Sequence, residues 1–427
     1  MLRSARTTIT TTQRCFCWLP ALTAAAALLT AVAAGPAQAG EYHFQEPGPT
    51  GLLRVTSPTV TWKIWPGKDM RVTRVALTLN GQSITGVRYS DAERAVVYRS
   101  EQALPAGDYR VVCRVTFNDQ FPVTRDWQFT VSPDAARSLP APGPEQEAAL
   151  NIANQYRRTL GLPDFQLDAR LCAAAAAHSR YMARNREVGH EQQAGRDGFI
   201  AAKSWERLAA FGYAGGSYED VEYGSPTTAA AIRGLFDAPY HRIPFLQPGA
   251  PLFGAGFAGL STTLNFGTTN EEATVVHPAD RQNGVPTSWD GNETPNPLRV
   301  HSGRTGGGHV GYPITFAHFA PAAGKSAIVV TGATLEAADT GERVPFYLNT
   351  PENDSFLRYA ALLIPHKPLR AGATYRVSVT ARAENGANIG RVWQFTTAGV
   401  SRVPAATLAS AAAAGSNSVH VEAAPKL

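Results

Sequence analysis

Apolar and polar positions alternate with period two over Val72–Leu79, where Val75, Leu77 and Leu79 fall on one face. Asn80-Gly81 follows at once, a tight-turn pair that predicts a hairpin. Similar short runs recur at Arg54-Val55-Thr56, Val60–Trp65, Ala95–Tyr98, Tyr109–Val115 and Trp127–Val131. So many strands in so short a stretch predict a small β-sandwich over residues 42–132. Residues 133–144 carry Pro133, Pro140, Pro142 and Pro144 among small and polar residues, the composition of a semi-rigid linker.

The period then changes. In residues 145–160, Leu150, Ala153 and the Tyr156-Arg157 pair step by three or four, and Gly161 ends the run, which predicts a helix. Asp168 is placed to cap a second helix through Asn185, with Leu171, Ala174, Ala175, His178 and Met182 on one face. From about residue 272 to 398 the pattern returns to strands, including Tyr312–Phe316, Ser326–Thr331, Ala360–Ile364 and Tyr375–Thr380. The stretch from Leu104 to Trp127-Gln-Phe-Thr is echoed from Leu369 to Trp393-Gln-Phe-Thr, with a Gly turn, a Tyr-Arg-Val strand and nearly equal spacing. That repeat predicts two copies of one sandwich type around a mixed centre, an α+β chain whose flanking modules do not complete the central fold. Residues 399–427 are Ala/Ser-rich and aperiodic and are expected to be a disordered tail.

A length of 427 residues calls for two or three domains. Arg3, Arg6 and Arg14 precede an apolar run from Phe16 to Ala34, and Ala37-Gln38-Ala39 offers a small-residue cleavage site. That order predicts a secretory signal over residues 1–39 and a secreted, extracellular, periplasmic or envelope protein with no transmembrane anchor after cleavage. Losing those three Arg takes the formal charge from +5 to +2, which gives no electrostatic case for nucleic acid. Cys15 and Cys17 leave with the signal, and Cys113 and Cys172 are expected to be buried thiols, with no CxxC zinc pair in the chain.

Chemistry concentrates in the centre, where His178, His190, Glu206, Glu219, Glu222 and His241 lie beside much apolar sequence. His178 sits on the apolar helix face and reads as a packed, satisfied histidine. His190-Glu191 lacks a second His four positions on, so no zincin motif is present. Ser217 lacks the Gly-x-Ser-x-Gly elbow of a serine hydrolase.

An ordered set of short motifs gives the centre a resemblance. Asn154-x-x-Arg157-x-x-x-Gly161, Ala175-x-x-His178-x-x-Tyr181-Met182, Gly189-His190, Phe211-Gly212-Tyr213, Ala238-Pro239-Tyr240-His241-Arg242 and Phe253-Gly254-Ala255-Gly256-Phe257 follow one another. Over residues 145–269 this resembles the bacterial branch of the CAP superfamily, and the flanks resemble bacterial immunoglobulin-like modules. The resemblance implies a central α-β-α sandwich with a cleft lined by histidines and acids. It assigns His190 and His241 as the cleft histidines and Glu222 as the acid of a Gly-Glu-Asn signature, with Glu206 and Glu219 as candidates for a second acid. The function it implies is binding of a small ligand, lipid, glycan or metal, with an envelope component as a possible partner. The three residues that the resemblance groups, His190, His241 and Glu222, could hold Zn²⁺ with one open position, orient a water, or form a polar network that fixes the cleft floor. The alternatives are therefore a metal-assisted hydrolase using them, or a structural envelope or adhesion protein.

Overall fold

The structure is a computed structural model that describes residues 42–100, 102–301, 309–320, 328–399 and 419–422. The expected signal segment and most of the expected tail lie outside the described residues.

Among the described residues the first module has nine strands: β1 (Tyr42–Phe44), β2 (Gly51–Val55), β3 (Thr59–Pro66), β4 (Val72–Leu79), β5 (Gln82–Ser83), β6 (Arg88–Ser90), β7 (Ala95–Arg99), β8 (Gly107–Phe117) and β9 (Phe121–Ala136). They form two sheets, β1-β3-β7-β6 and β2-β9-β8-β4-β5. Trp62, Val96, Val111, Val115 and Phe117 fill the core between them. Asn80, at φ +48°, and Gly81 make the turn between β4 and β5, as the Asn-Gly pair predicts.

The centre holds α1 (Pro144–Thr159), β10 (Gln166–Leu167), α2 (Ala169–Asn185), α3 (Ser204–Ala210), β11 (Ser217–Tyr223), α4 (Thr228–Asp237), β12 (Leu252–Ala258) and β13 (Ser261–Gly267). Asp168 caps α2 through the amides of Arg170 and Leu171, the role its position predicts. The strands form one sheet, β10-β12-β13-β11-β24, in which β24 is Val419–Glu422. Alanine on α2 and glycine on β12 let this helix and sheet approach closely. A Cβ on Gly254 would stand 2.3 Å from the Leu171 carbonyl carbon, and one on Gly256 2.1 Å from the Ala176 nitrogen.

Among the described residues the third module has ten strands: β14 (Ala273–His277), β15 (Gln282–Val285), β16 (Ser288–Trp289), β17 (Val310–Gly311), β18 (Ile314–Phe319), β19 (Ile328–Ala337), β20 (Phe346–Asn349), β21 (Ala360–Pro365), β22 (Thr374–Ala383) and β23 (Arg391–Thr397). Its two large sheets are β14-β18-β21-β20 and β15-β23-β22-β19, and β16 pairs with β17. The internal repeat is visible residue by residue. Trp127 pairs with Val111 as Trp393 pairs with Val377, and Tyr109 pairs with Phe129 as Tyr375 pairs with Phe395. Both Tyr-Phe pairs stack, at 5.1 and 5.7 Å, and both tryptophans are buried in their own module's core. In each module a parallel strand adds beyond the Trp-x-Phe strand, β2 in the first and β15 in the third.

The third module does more than bracket the centre, which differs from the sequence-based expectation. Tyr240, Ile243 and Leu246 of the centre share one core with Val275, Trp289, Leu298, Phe319 and Tyr359 of the third module. A run of apolar residues in a loop announces burial but not its partner, and here the partner lies across a module boundary. Of residues 399–427, Val419–Glu422 form β24, an edge strand of the central sheet.

Candidate functional site

β11 (Ser217–Tyr223) organises the site because side chains on a strand point alternately to opposite faces. Glu219 and Val221 face α2 and α3, and Val221 packs with Tyr181 and Met182. Asp220 and Glu222 therefore face the other way. Two separate polar networks result.

On the first face, the Arg207 guanidinium holds both Glu219 oxygens, at 2.7 and 2.8 Å. His190 Nδ1–H donates to Glu219 Oε1 at 3.1 Å. Burial alone pushes the Glu219 carboxyl up, but Arg207 outweighs it, with help from His178 and His190, and the pKa falls to about 2. Glu219 is thus a fixed anion. His178 lies behind the pair: its Nε2–H donates to the Gly189 carbonyl at 2.8 Å, and its Nδ1 accepts from Gln192 at 3.0 Å. The carbonyl can only accept, so His178 is the neutral Nε2–H tautomer. Burial lowers its pKa to about 4. His178 anchors the backbone immediately before His190, in keeping with its reading as a satisfied core histidine.

On the second face, His241 Nδ1–H donates to Glu293 Oε1 at 2.8 Å, and the same oxygen accepts the backbone N–H groups of Tyr240 and His241. Glu293 comes from the third module, between β16 and β17, and His241 is fully buried beneath it. Asp220 is also fully buried, and neither of its oxygens has a hydrogen-bond partner among the described residues. Burial raises its pKa to about 8, with His241 opposing and Glu293 adding to the rise, so it is a neutral carboxylic acid at pH 7. Tyr240 extends the network by donating its hydroxyl to Asp354, which also accepts from Asn349.

The structure places the expected site residues as follows. His190 meets Glu219, not Glu222. Glu222 points from the opposite face, where its Oε1 accepts the Ser225 N–H at 3.0 Å. Glu206 accepts the Lys203 N–H and caps the start of α3. His190, Glu222 and His241 do not converge, and among the described residues no group of three or more His, Cys, Asp or Glu is placed to hold a metal ion. Strand parity could have separated Glu219 from Glu222, since residues three apart on one strand face opposite ways. Nothing in the sequence around Glu293 marks it as the partner of His241.

The motif residues nearby are structural. Arg157, fully buried, donates to the carbonyls of Pro163, Phe245, Gln247 and Gly249. Asn154 bonds both backbone groups of Phe165. Arg242 donates to the carbonyls of Phe236, Asp237 and Pro313 and to the Thr315 hydroxyl, and so reaches into the third module. Cys113 and Cys172 are free and buried, and burial raises their pKa values to about 12 and 11.

Residues 150–269 match the family described as CAP, the cysteine-rich secretory protein family. No curated protein matches the chain. Among solved structures, an extracellular protein from Bacillus anthracis that contains an SCP domain is similar over 53% of this chain and 67% of its own, at 13% identity and a TM-score of 0.26. CopC from Methylosinus trichosporium OB3b is similar over 23% of this chain and all of its own, at 16% identity and a TM-score of 0.19. SGBP-B of Bacteroides ovatus, solved with a mixed-linkage heptasaccharide, is similar over 85% of this chain and 72% of its own, at 11% identity and a TM-score of 0.17. At such scores none of the three bears on function. No helix among the described residues is long and apolar enough to cross a membrane.

Proposed function

We propose, from the match of residues 150–269 to the CAP family, that the protein is exported and binds a small ligand, without turnover, at the face of its cleft that carries His190. One observation carries the reading: Glu219 is an anion gripped by Arg207 and held against Nδ1 of His190. This arrangement fixes the imidazole's tautomer and orientation. The His190 side chain keeps 10% of its surface exposed, whereas His178 and His241 keep none. Of these three histidines, His190 is the one at the rim.

The same geometry argues against the hydrolase alternative. Glu219 is held at a pKa of about 2, far below the range in which a general base works well at neutral pH. His241 is tied to Glu293 on the other side of the strand. The test is a binding screen with lipid vesicles, oligosaccharides and Zn²⁺, together with ester and peptide turnover assays, on the intact protein and on His190→Ala. Binding of one ligand class that His190→Ala loses, with thermal stability kept, is the expected result. Turnover that depends on His190 would replace the binding reading with the hydrolase. Failure of all arms would leave the network as a structural element of the domain.

A further inference from the structure

β11 is the last strand that the central fold supplies to its own sheet, and β24 (Val419–Glu422) covers its outer side. β24 arrives from beyond the third module and lies outside the matched residues 150–269. The pairing is antiparallel and in register: Asp220 with Glu422, Val221 with Val421, Glu222 with His420, and Tyr223 with Val419. Without that cover, one row of β11 amides and carbonyls would stand open beside a strand whose residues Glu219 to Glu222 are buried. Such an edge is a template for another strand.

Two further observations point to a ligand at this edge. Glu222 is fully buried, and its Oε2 has no hydrogen-bond partner among the described residues, although Oε1 takes the Ser225 N–H. It sits in the middle of the paired stretch, so a strand lying there meets an unsatisfied acceptor. At one end, Tyr223 and Leu260 are 41% and 46% exposed, and the Gly224 N–H to Leu260 carbonyl bond places them side by side. The edge therefore offers main-chain bonds, a buried acceptor opposite the middle position and an apolar patch at one end.

We propose that the outer edge of β11 is a strand-addition site for an extended peptide, and that this chain's own residues 419–422 occupy it in competition with outside strands. The matching partner is a segment with apolar residues opposite Val221 and Tyr223 and a hydrogen-bond donor opposite Glu222. Backbone bonds supply affinity in this mode, and the alternate side chains supply selectivity. Residues 400–418 join Gly399 to Val419, and a tether of that length spans up to about 60 Å when extended. Short tethers hold a segment at about millimolar effective concentration, enough to outcompete a free peptide of micromolar affinity. The occupant thus raises the threshold for any outside strand. This proposal is independent of the ligand at His190.

The test uses a fluorescein-labelled peptide of residues 418–427 and the protein lacking those residues but otherwise whole. Fluorescence anisotropy should show micromolar binding to the shortened protein and at least tenfold weaker binding to the full chain. A Val421→Pro peptide should bind at least tenfold less well, because proline has no N–H for the ladder. If the shortened protein fails to fold by circular dichroism, the full chain carrying Val421→Pro takes its place as the receptor, with the same criteria. Equal binding to free and covered edges, no binding to the freed edge, or indifference to proline would each overturn the proposal.

Discussion

Glu219, His178 and Asp220 make pH the most direct probe of single residues. His178 has a folded pKa of about 4 against an ordinary 6.5. As pH falls from 6.5 to 4 the unfolded chain takes up a proton that the folded chain refuses, and stability drops. Glu219, held at about 2 against 4.5, adds stability that is present above 4.5 and is lost between 4.5 and 2. Urea unfolding across this range should show both losses, and Glu219→Gln should flatten the lower window while destabilising the protein at pH 7. Asp220 runs the other way. Its folded pKa of about 8 against 3.8 favours folding below 3.8, and the benefit disappears as pH rises to 8. Asp220→Asn should therefore be more stable than the parent protein above pH 8, and equal stability there would remove the buried-acid reading. Arg157 offers a test without titration. Its replacement by Leu leaves the carbonyls of Pro163, Phe245, Gln247 and Gly249 short of a donor. The expected loss is about 3 kcal/mol or more, read from the urea midpoint.

At the scale of elements, the contact of α2 with β12 and the two Trp-x-Phe hairpins are the decisive features. Gly256 has no room for a methyl group, because the atoms it would strike belong to the α2 backbone. Gly256→Ala should cost about 3 kcal/mol or more by forcing helix and sheet apart, and thermal unfolding measures it. The repeat predicts a matched pair of effects. Trp127→Ala and Trp393→Ala each remove a buried indole from one module's core, and each should cost about 3–5 kcal/mol. Hydrogen exchange should locate the loss mainly in the mutated module. The equivalence was legible because period-two patterning, a Gly turn and a Trp-x-Phe spacing are local features that the hairpin preserves. The acid facing His190 was not fixed by the motif match, since Glu219 and Glu222 lie on one short strand and only its pairing and facing decide which reaches the histidine.

Across the whole molecule, the centre and the third module behave as one body. They share the core built on Tyr240, Ile243, Leu246, Trp289 and Leu298. They also share the bonds of His241 to Glu293, of Arg242 to Pro313 and Thr315, of Tyr312 to Asp237 and of Tyr218 to Tyr359. Residues 142–269 produced alone would expose that apolar surface and leave Arg242 and His241 short of partners. Such a fragment should be insoluble or molten, whereas residues 142–399 should unfold as one cooperative unit by calorimetry. A soluble, cooperatively folding fragment of the centre would show that the shared core is dispensable.

The sequence by itself determined the elements: two strand-rich modules of one pattern, a helical centre capped at Asp168, and the CAP motif order. These follow from periodicity and turn chemistry, which act over a few residues. Only the tertiary structure decided which charges meet. Glu293 lies 52 residues from His241 and Arg207 lies 12 from Glu219, and no periodicity links either pair. Their pairing follows from removing water around buried charges, which forces each to find the partner that the packed chain brings near.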